Sequence, residues 1–164
     1  MLRVLIVGFG DVAQRVARLL RGRARVYALV RGAAMRARAL DAGAIPVAGD
    51  LDQLKQLRRI AGIADAVIHL APPPTSAAPQ SRHATEDART RRLLAALSRR
   101  KSVARRFVYI STSGVYGDHA GARVSETSRL HTNNVRAWRR VDAERRVRRW
   151  VTSNCLRAIP VRAS

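Results

Sequence analysis

At 164 residues and 18.1 kDa the chain suits one domain of ordinary size, long enough to bury a core without disulfides or a metal. A hydrophobic content of 47% argues against disorder, no apolar run approaches the roughly 20 residues of a membrane span, and the single Cys155 excludes an internal disulfide framework and a Cys-based zinc site. Charge is the outlier: 32 Lys+Arg against 11 Asp+Glu gives +21, and only Lys55 and Lys101 are lysines.

In chain order, Leu2–Val7 is an apolar run ending in glycine, and reads as a strand. Asp11–Arg21 carries Val12, Val16, Leu19 and Leu20 at helical spacing. Arg25–Val30 is a second strand, closed by Arg31-Gly32, and Ala33–Ala42 suits a short helix stopped by Gly43. Ile45–Ala48 is a brief strand. Leu51–Ile60 places Leu51, Leu54, Leu57 and Ile60 on one face and reads as a helix. Asp65–Ala71 is a strand ended by three prolines, followed by a Ser/Ala/Pro loop to about Arg82. Ala84–Arg100 is a longer helix and Arg106–Ser111 a strand. Thr112–Asn134 is polar and reads mostly as loop, Val135–Val151 as a helix with an arginine-coated face, and Cys155–Ile159 as a last short strand. Five to six strands with a helix after nearly every one predict an α/β fold, a parallel sheet with helices on both faces. No linker or repeat divides residues 1–164, which read as a single domain.

The stretch from Val4 to Ala13 is the most informative. Gly8-Phe9-Gly10-Asp11-Val12-Ala13 has the form G-x-G-x-x-A between a strand and a helix, the context a dinucleotide fingerprint requires. Gly8 permits the tight turn. Gly10 lets backbone approach a pyrophosphate, and Ala13 lets the helix pack close to the strand. Helix N–H groups then face the phosphates, making residues 8–12 the candidate phosphate contacts. The bland alternative is a plain strand–helix turn. An acid about 20 positions further on would bind the ribose 2′-OH of NAD. Arg31 stands there instead, with no acid near it in sequence, and favours the 2′-phosphate of NADP, helped by Arg36 or Arg38. Asp50 either accepts from an adenine amino group or caps the next helix.

These residues resemble the NAD(P)-dependent epimerase/dehydratase family of extended short-chain dehydrogenases/reductases. The matching pieces are VGFGDVA at 7–13, GDL at 49–51, AVIHLA at 66–71 and FVYISTSGVYG at 107–117, and the likeness covers nearly the whole chain. It implies a three-layer Rossmann fold with a doubly wound sheet. NADP is the favoured cofactor with NAD second, and the small-molecule substrate is a nucleotide sugar or similar compound. It also implies that Asp50, Leu51, Ala71, Pro72 and Ser111 lie along the cofactor and that Thr112 orients the substrate's reacting oxygen. Read without the family, Ser111, Thr112 and Ser113 are a hydroxyl-rich turn capping a strand.

Two departures stand out. The family's Tyr-x-x-x-Lys motif, counted back from Glu144, falls on Arg136 and Arg140. Arginine stays protonated and cannot act as the acid/base. Arg140 could hold a cofactor ribose or phosphate and Arg136 an anionic substrate. The reading of both as solvated arginines ranks slightly ahead. Tyr109 lies within a strand, and the family motif makes Tyr116 structural. The second departure is length: the sixth strand ends the chain, without most of the family's C-terminal substrate region. A truncated relative, or a site completed by a partner subunit such as a homodimer mate, is expected.

His69, His83, His119 and His131 lack metal-ligand spacing, and His69 reads as a satisfied core histidine. Cys155 reads as buried. Arg139 to Arg149 holds six arginines, either an anion-binding helix or a solvated face with i,i+4 pairing. Such charge attracts nucleic acid, but the arginines are spread along the chain and can reflect coding bias, so the solvated reading ranks first. Three functions stay open: an NADP-dependent oxidoreductase or sugar-nucleotide epimerase with an altered motif, a non-catalytic NADP-binding sensor or degenerate paralogue, and a basic nucleic-acid-binding protein. No membrane role is expected, and the cytoplasm is the expected compartment.

Overall fold

The computed structural model describes residues 1–74, 84–99, 104–125, 127–132, 134–154 and 157–163. The strands are β1 (Leu2–Val7), β2 (Ala24–Val30), β3 (Ile45–Ala48), β4 (Ala66–His69), β5 (Arg106–Thr112) and β6 (Arg157–Ala163). The helices are α1 (Asp11–Leu20), α2 (Gly32–Asp41), α3 (Ala88–Leu97) and α4 (Val135–Ser153). All six strands are parallel in the order β3-β2-β1-β4-β5-β6, the doubly wound Rossmann arrangement expected. The chain winds outward from β1 to β3, then returns to the other side of β1 at β4. That reversal opens a crevice at the carboxyl ends of β1 and β4.

Both faces of the sheet are buried, so its central strands read as continuous apolar runs rather than alternating ones. On β1, Leu5 and Val7 pack with Val67, Phe107 and Tyr109 beneath α3 and α4. Val4 and Ile6 pack with Val26, Ala28 and Val30 beneath α1 and α2. The inward stripe of α1 is Ala13 and Ala17, with Val16 and Leu20 partly buried. Val12 and Leu19, expected on that stripe, are exposed. Alanines seat α1 close to the sheet, which sets its N-terminus next to the end of β1.

Residues 51–60 depart from the expected α-helix. Leu54–Ile60 is a 3₁₀ helix, and Leu51 precedes it in a turn. The physical reason lies in the spacing: Leu51, Leu54, Leu57 and Ile60 recur every three residues, the 3₁₀ period. Leu57 and Ile60 are buried, while Leu54 is exposed. The α3 helix is shorter than expected because Asp87 caps it, its Oδ1 accepting from the Thr90 amide at 3.0 Å. The last strand begins and ends later than read from sequence, pairing Arg157–Ala163 with the whole of β5. Cys155, Leu156, His83 and the Ser/Ala/Pro loop lie outside the described residues. Among the described residues no helix is long and apolar enough to cross a membrane.

Candidate functional site: a backbone cradle and an arginine-lined pocket

A cleft of about 990 Å³ lies over the carboxyl ends of β1, β2 and β3 and the turn after β4. Strand register builds it: Val7 at the end of β1 stands opposite Leu29 on β2 and His69 on β4. Gly8, Arg31 and Ala71 therefore emerge around a common mouth, and Phe9 and Val12 join them in the lining.

The two glycines of the loop do different work. Gly8 has φ +90°, and a Cβ there would stand 2.4 Å from the Ala71 amide nitrogen. The fold itself requires that glycine. Gly10 has φ −79° and ψ −164°, extended backbone that any residue adopts, and a Cβ there would meet no atom within 4 Å. Nothing in the described chain demands a glycine at 10, so the missing side chain leaves room for something outside the chain. Gly10 is also the N-cap of α1 and provides no side-chain acceptor. The first N–H groups of α1 thus keep their bonding capacity for a ligand. Asp11 has its carboxylate turned to Arg15 at 3.0 Å, leaving its backbone to face the cleft.

At the β2 and β3 ends, the structure corrects the linear view. Arg31 Nη1 stands 3.4 Å from Asp50 Oδ2, so an acid is near it after all, brought from 19 residues away by the β2–β3 pairing. The Arg31 side chain is largely exposed, and such pairs are weak. Asp50 caps a turn rather than a helix: its Oδ1 accepts from the Asp52 amide at 2.9 Å, and the 3₁₀ helix begins two residues later. Leu51 is buried under the cleft floor.

Arg89, a residue that sequence reasoning missed, closes the rim. From the first turn of α3 it donates Nε to Asp52 Oδ1 at 3.0 Å, Nη2 to Asp52 Oδ2 at 2.6 Å, and Nη1 to the Pro72 carbonyl at 3.3 Å. The Arg89 guanidinium holds the Asp52 carboxyl below its ordinary value. One side chain so ties α3, the segment after β3 and the β4 turn together. No sequence signal marks it, because its partners lie 37 and 17 residues away.

A second, smaller pocket of about 320 Å³ lies between the end of β5 and the start of α4. Thr112, Gly114, Asn134, Arg136, Ala137 and Arg140 line it, so the fold brings together the two arginines that the motif count picked out and the threonine that the resemblance singled out. Thr112 Oγ1 accepts from the Gly114 amide at 3.2 Å, the turn-capping role of the bland reading. Ser111 is buried and lines neither cavity.

Arg140 is not a solvated arginine. It is half-buried, and its Nη1 donates to the Ile110 carbonyl at 3.0 Å and the Tyr109 hydroxyl at 3.2 Å. Arg136, one turn earlier, is exposed. Burial pushes the Tyr109 hydroxyl up to about 12, so Tyr109 keeps its proton near neutrality. Tyr116 is structural: Arg162 Nη1 donates to its hydroxyl at 2.5 Å, and Arg162 also pairs with buried Glu144 at 2.6 Å. Burial raises the Glu144 carboxyl, but the Arg162 guanidinium outweighs it and leaves the group below its ordinary value.

His69 is the core histidine expected. Its Nε2 is 2.9 Å from Thr90 Oγ1, which donates to Asp87 Oδ2 at 2.9 Å. A Thr90 hydroxyl that donates to Asp87 accepts from His69, which assigns the ring proton to Nε2. Burial, then the charge of Arg140, lowers His69 to about 3. The six arginines from Arg139 to Arg149 divide rather than form one face. Arg139 is buried and donates to the carbonyls of Ala84 and Pro74. Arg146 pairs with Asp142 at 2.7 Å and Glu86 at 3.5 Å, whereas Arg145, Arg148 and Arg149 are exposed.

Solved structures share this fold. UDP-glucuronic acid 4-epimerase from Bacillus cereus, in complex with NAD, is 18% identical with a TM-score of 0.76, over 98% of this chain and 55% of that one. A short-chain dehydrogenase/reductase superfamily protein from Agrobacterium tumefaciens with bound NAD is 26% identical with a TM-score of 0.74, over 98% and 48%. The terminal R domain of the myxalamid PKS-NRPS pathway is 24% identical with a TM-score of 0.75, over 99% and 48%. The chain spans about half the length of these structures. No curated protein matches the sequence. The model of the NAD dependent epimerase/dehydratase family matches residues 4–164, and with nearly all of its length matched the chain belongs to that family.

Proposed function

We propose that residues 1–164 form one cofactor-binding domain that takes up a nicotinamide dinucleotide, NADP in preference to NAD, for epimerase- or oxidoreductase-type chemistry on a nucleotide sugar or similar hydroxy or keto compound. The observation that carries the reading is Gly10: a glycine its own fold does not need, beside free helix N–H groups and open to a cleft of about 990 Å³. Bound there, the cofactor supplies hydride exchange with a substrate carbon. The chain's part is to hold and orient. The backbone of Gly8, Phe9, Gly10, Asp11 and Val12 takes the pyrophosphate, and Arg31 swings from Asp50 to the 2′-phosphate. Asp50 and Leu51 border the adenine, while Ala71 and Pro72 flank the cofactor; Ser111, buried and lining neither cavity, is not among these contacts. Thr112 orients the substrate oxygen, and Arg136 and Arg140 bind rather than transfer protons. The Bacillus and Agrobacterium structures carry NAD. The NADP preference rests on Arg31 alone.

Calorimetric titration with NADPH and NADH at physiological salt tests this, since a +21 chain holds any phosphate loosely in dilute buffer. The expected result is micromolar NADPH binding, abolished by Gly10→Glu and shifted toward NADH by Arg31→Asp. Binding of neither nucleotide overturns it. A second reading, a cofactor-binding protein without turnover, is favoured by Arg136 and Arg140 at the Tyr and Lys positions together with the high value of Tyr109. NADPH binding without oxidation or reduction of any sugar nucleotide or ketone would favour it.

A further inference from the structure

Arg140 poses a physical problem that cofactor binding leaves open. A guanidinium drawn from water is costly unless a charge answers it. Arg140 is half-buried, yet its two acceptors, the Tyr109 hydroxyl and the Ile110 carbonyl, are neutral and use only Nη1. Glu144, one turn further along α4, is already held by Arg162 through Nη2 at 2.6 Å and Nε at 3.1 Å. Asp87, whose charge reaches Arg140, accepts from both the amide and the hydroxyl of Thr90. No described carboxylate pairs with Arg140. Arg136 lies one turn earlier on the same helix face, lines the same pocket, and makes no ion pair with a described residue. Among the described residues no acid lines the pocket. The N-terminal end of the 19-residue α4 adds its own positive field there.

We propose that this pocket is an oxyanion subsite, in which Arg136 and Arg140 hold a carboxylate or phosphate group of the substrate beside Thr112. The donor set fits such a group: guanidinium forks match its paired oxygens. A volume of about 320 Å³ accepts it with the carbons that carry it. The inference deepens the proposed function, since it rests on Thr112 as the group facing the reacting oxygen. It narrows the substrate to a compound bearing an oxyanion close to the hydroxyl or keto carbon. It also gives the two arginines a binding role where the family motif has a proton-transfer pair.

The test titrates the cofactor-free full chain with inorganic phosphate and with oxalate at constant physiological ionic strength. One saturable site for either anion is expected, weakened about tenfold or more by Arg136→Gln and by Arg140→Gln. Arg23→Gln, an exposed arginine far along the chain, should leave it unchanged. The better-held anion identifies the group, carboxylate or phosphate. Arg136 is exposed, so its variant folds even where Arg140→Gln does not, and Arg140→Lys keeps the charge without the fork. Equal loss in Arg23→Gln, or no loss in the Arg136 and Arg140 variants, overturns the subsite. Gly10→Glu separates the two readings: it should end NADPH binding and spare the anion. Loss of the anion in Gly10→Glu would move it to the phosphate loop and also overturn the proposal.

Discussion

The two halves of the crevice present different chemistry. On the β1–β2–β3 side the lining is largely apolar, and the polar groups at the glycine loop are backbone: a glycine with no Cβ to fill the space and helix N–H groups, with one exposed arginine loosely tied to Asp50 at the rim. On the β5–α4 side the lining is side chain, with two guanidiniums and a threonine. Backbone recognition tolerates little change, because a Cβ collides where a ligand must sit. Under the proposed function, recognition by side chains can be rewritten residue by residue. A family can therefore keep its cofactor loop while its second pocket diverges.

The largest expected effect breaks the first half outright. Gly8→Ala places a Cβ 2.4 Å from the Ala71 amide in a left-handed conformation, and should cost about 3 kcal/mol or more in urea unfolding. Gly10→Ala should cost under about 1 kcal/mol, the loss of a favourable N-cap residue, while weakening NADPH. Equal losses at the two sites would mean that both glycines serve the fold.

A smaller effect lies in the core between the two halves, at the end of β4, and depends on pH. His69 is buried, with its value lowered from 6.5 to about 3. Between those limits the unfolded chain binds a proton that the folded chain refuses, so this contribution to stability shrinks as pH falls from about 6.5 toward 3. Asp87, raised by burial, acts in the opposite sense, since the folded chain takes its proton first. Comparing His69→Gln with the parent isolates the histidine. The parent should lose stability more steeply from pH 7 to pH 4 in chemical denaturation, and parallel curves would remove His69 as the cause.

Arg89→Ala sharpens the comparison at the boundary between the halves. It removes the fork to Asp52 and the bond to Pro72, and should cost about 1–2 kcal/mol. The Asp52 carboxyl should then titrate closer to its ordinary value, which NMR would follow. The smallest effect is expected at Arg148→Ala on the exposed side of α4, within about 0.5 kcal/mol.

Much of the first half is legible in the amino-acid order alone. The strand–glycine–helix succession of residues 4–13 implies the turn, and the alternation of strands and helices implies a wound sheet with that turn at its crevice. Residues 51–60 carry their period of three just as openly. It reads as an α-helix all the same, because an i,i+3 spacing also occurs locally in α-helices; only the whole run decides, since at 3.6 residues per turn Leu51 and Ile60 would stand on opposite faces. The pairing of Arg31 with Asp50 is not legible, since it depends on β2 and β3 lying side by side. Arg89 is invisible for the same reason.

The sequence by itself determined the class of fold and the loop at residues 8–13. Both follow from local pattern: apolar runs of strand length, helical spacing, and glycines at fixed offsets. Only the tertiary structure decided which of the 30 arginines are surface and which are architecture. Arg139 is buried against carbonyls, Arg146 bridges two acids, Arg162 holds Glu144, and Arg140 leans on β5 with no described counter-charge. A guanidinium's role is set by what lies within about 3 Å of it, and those partners come from distant parts of the chain that only the closed sheet and its packed helices bring together.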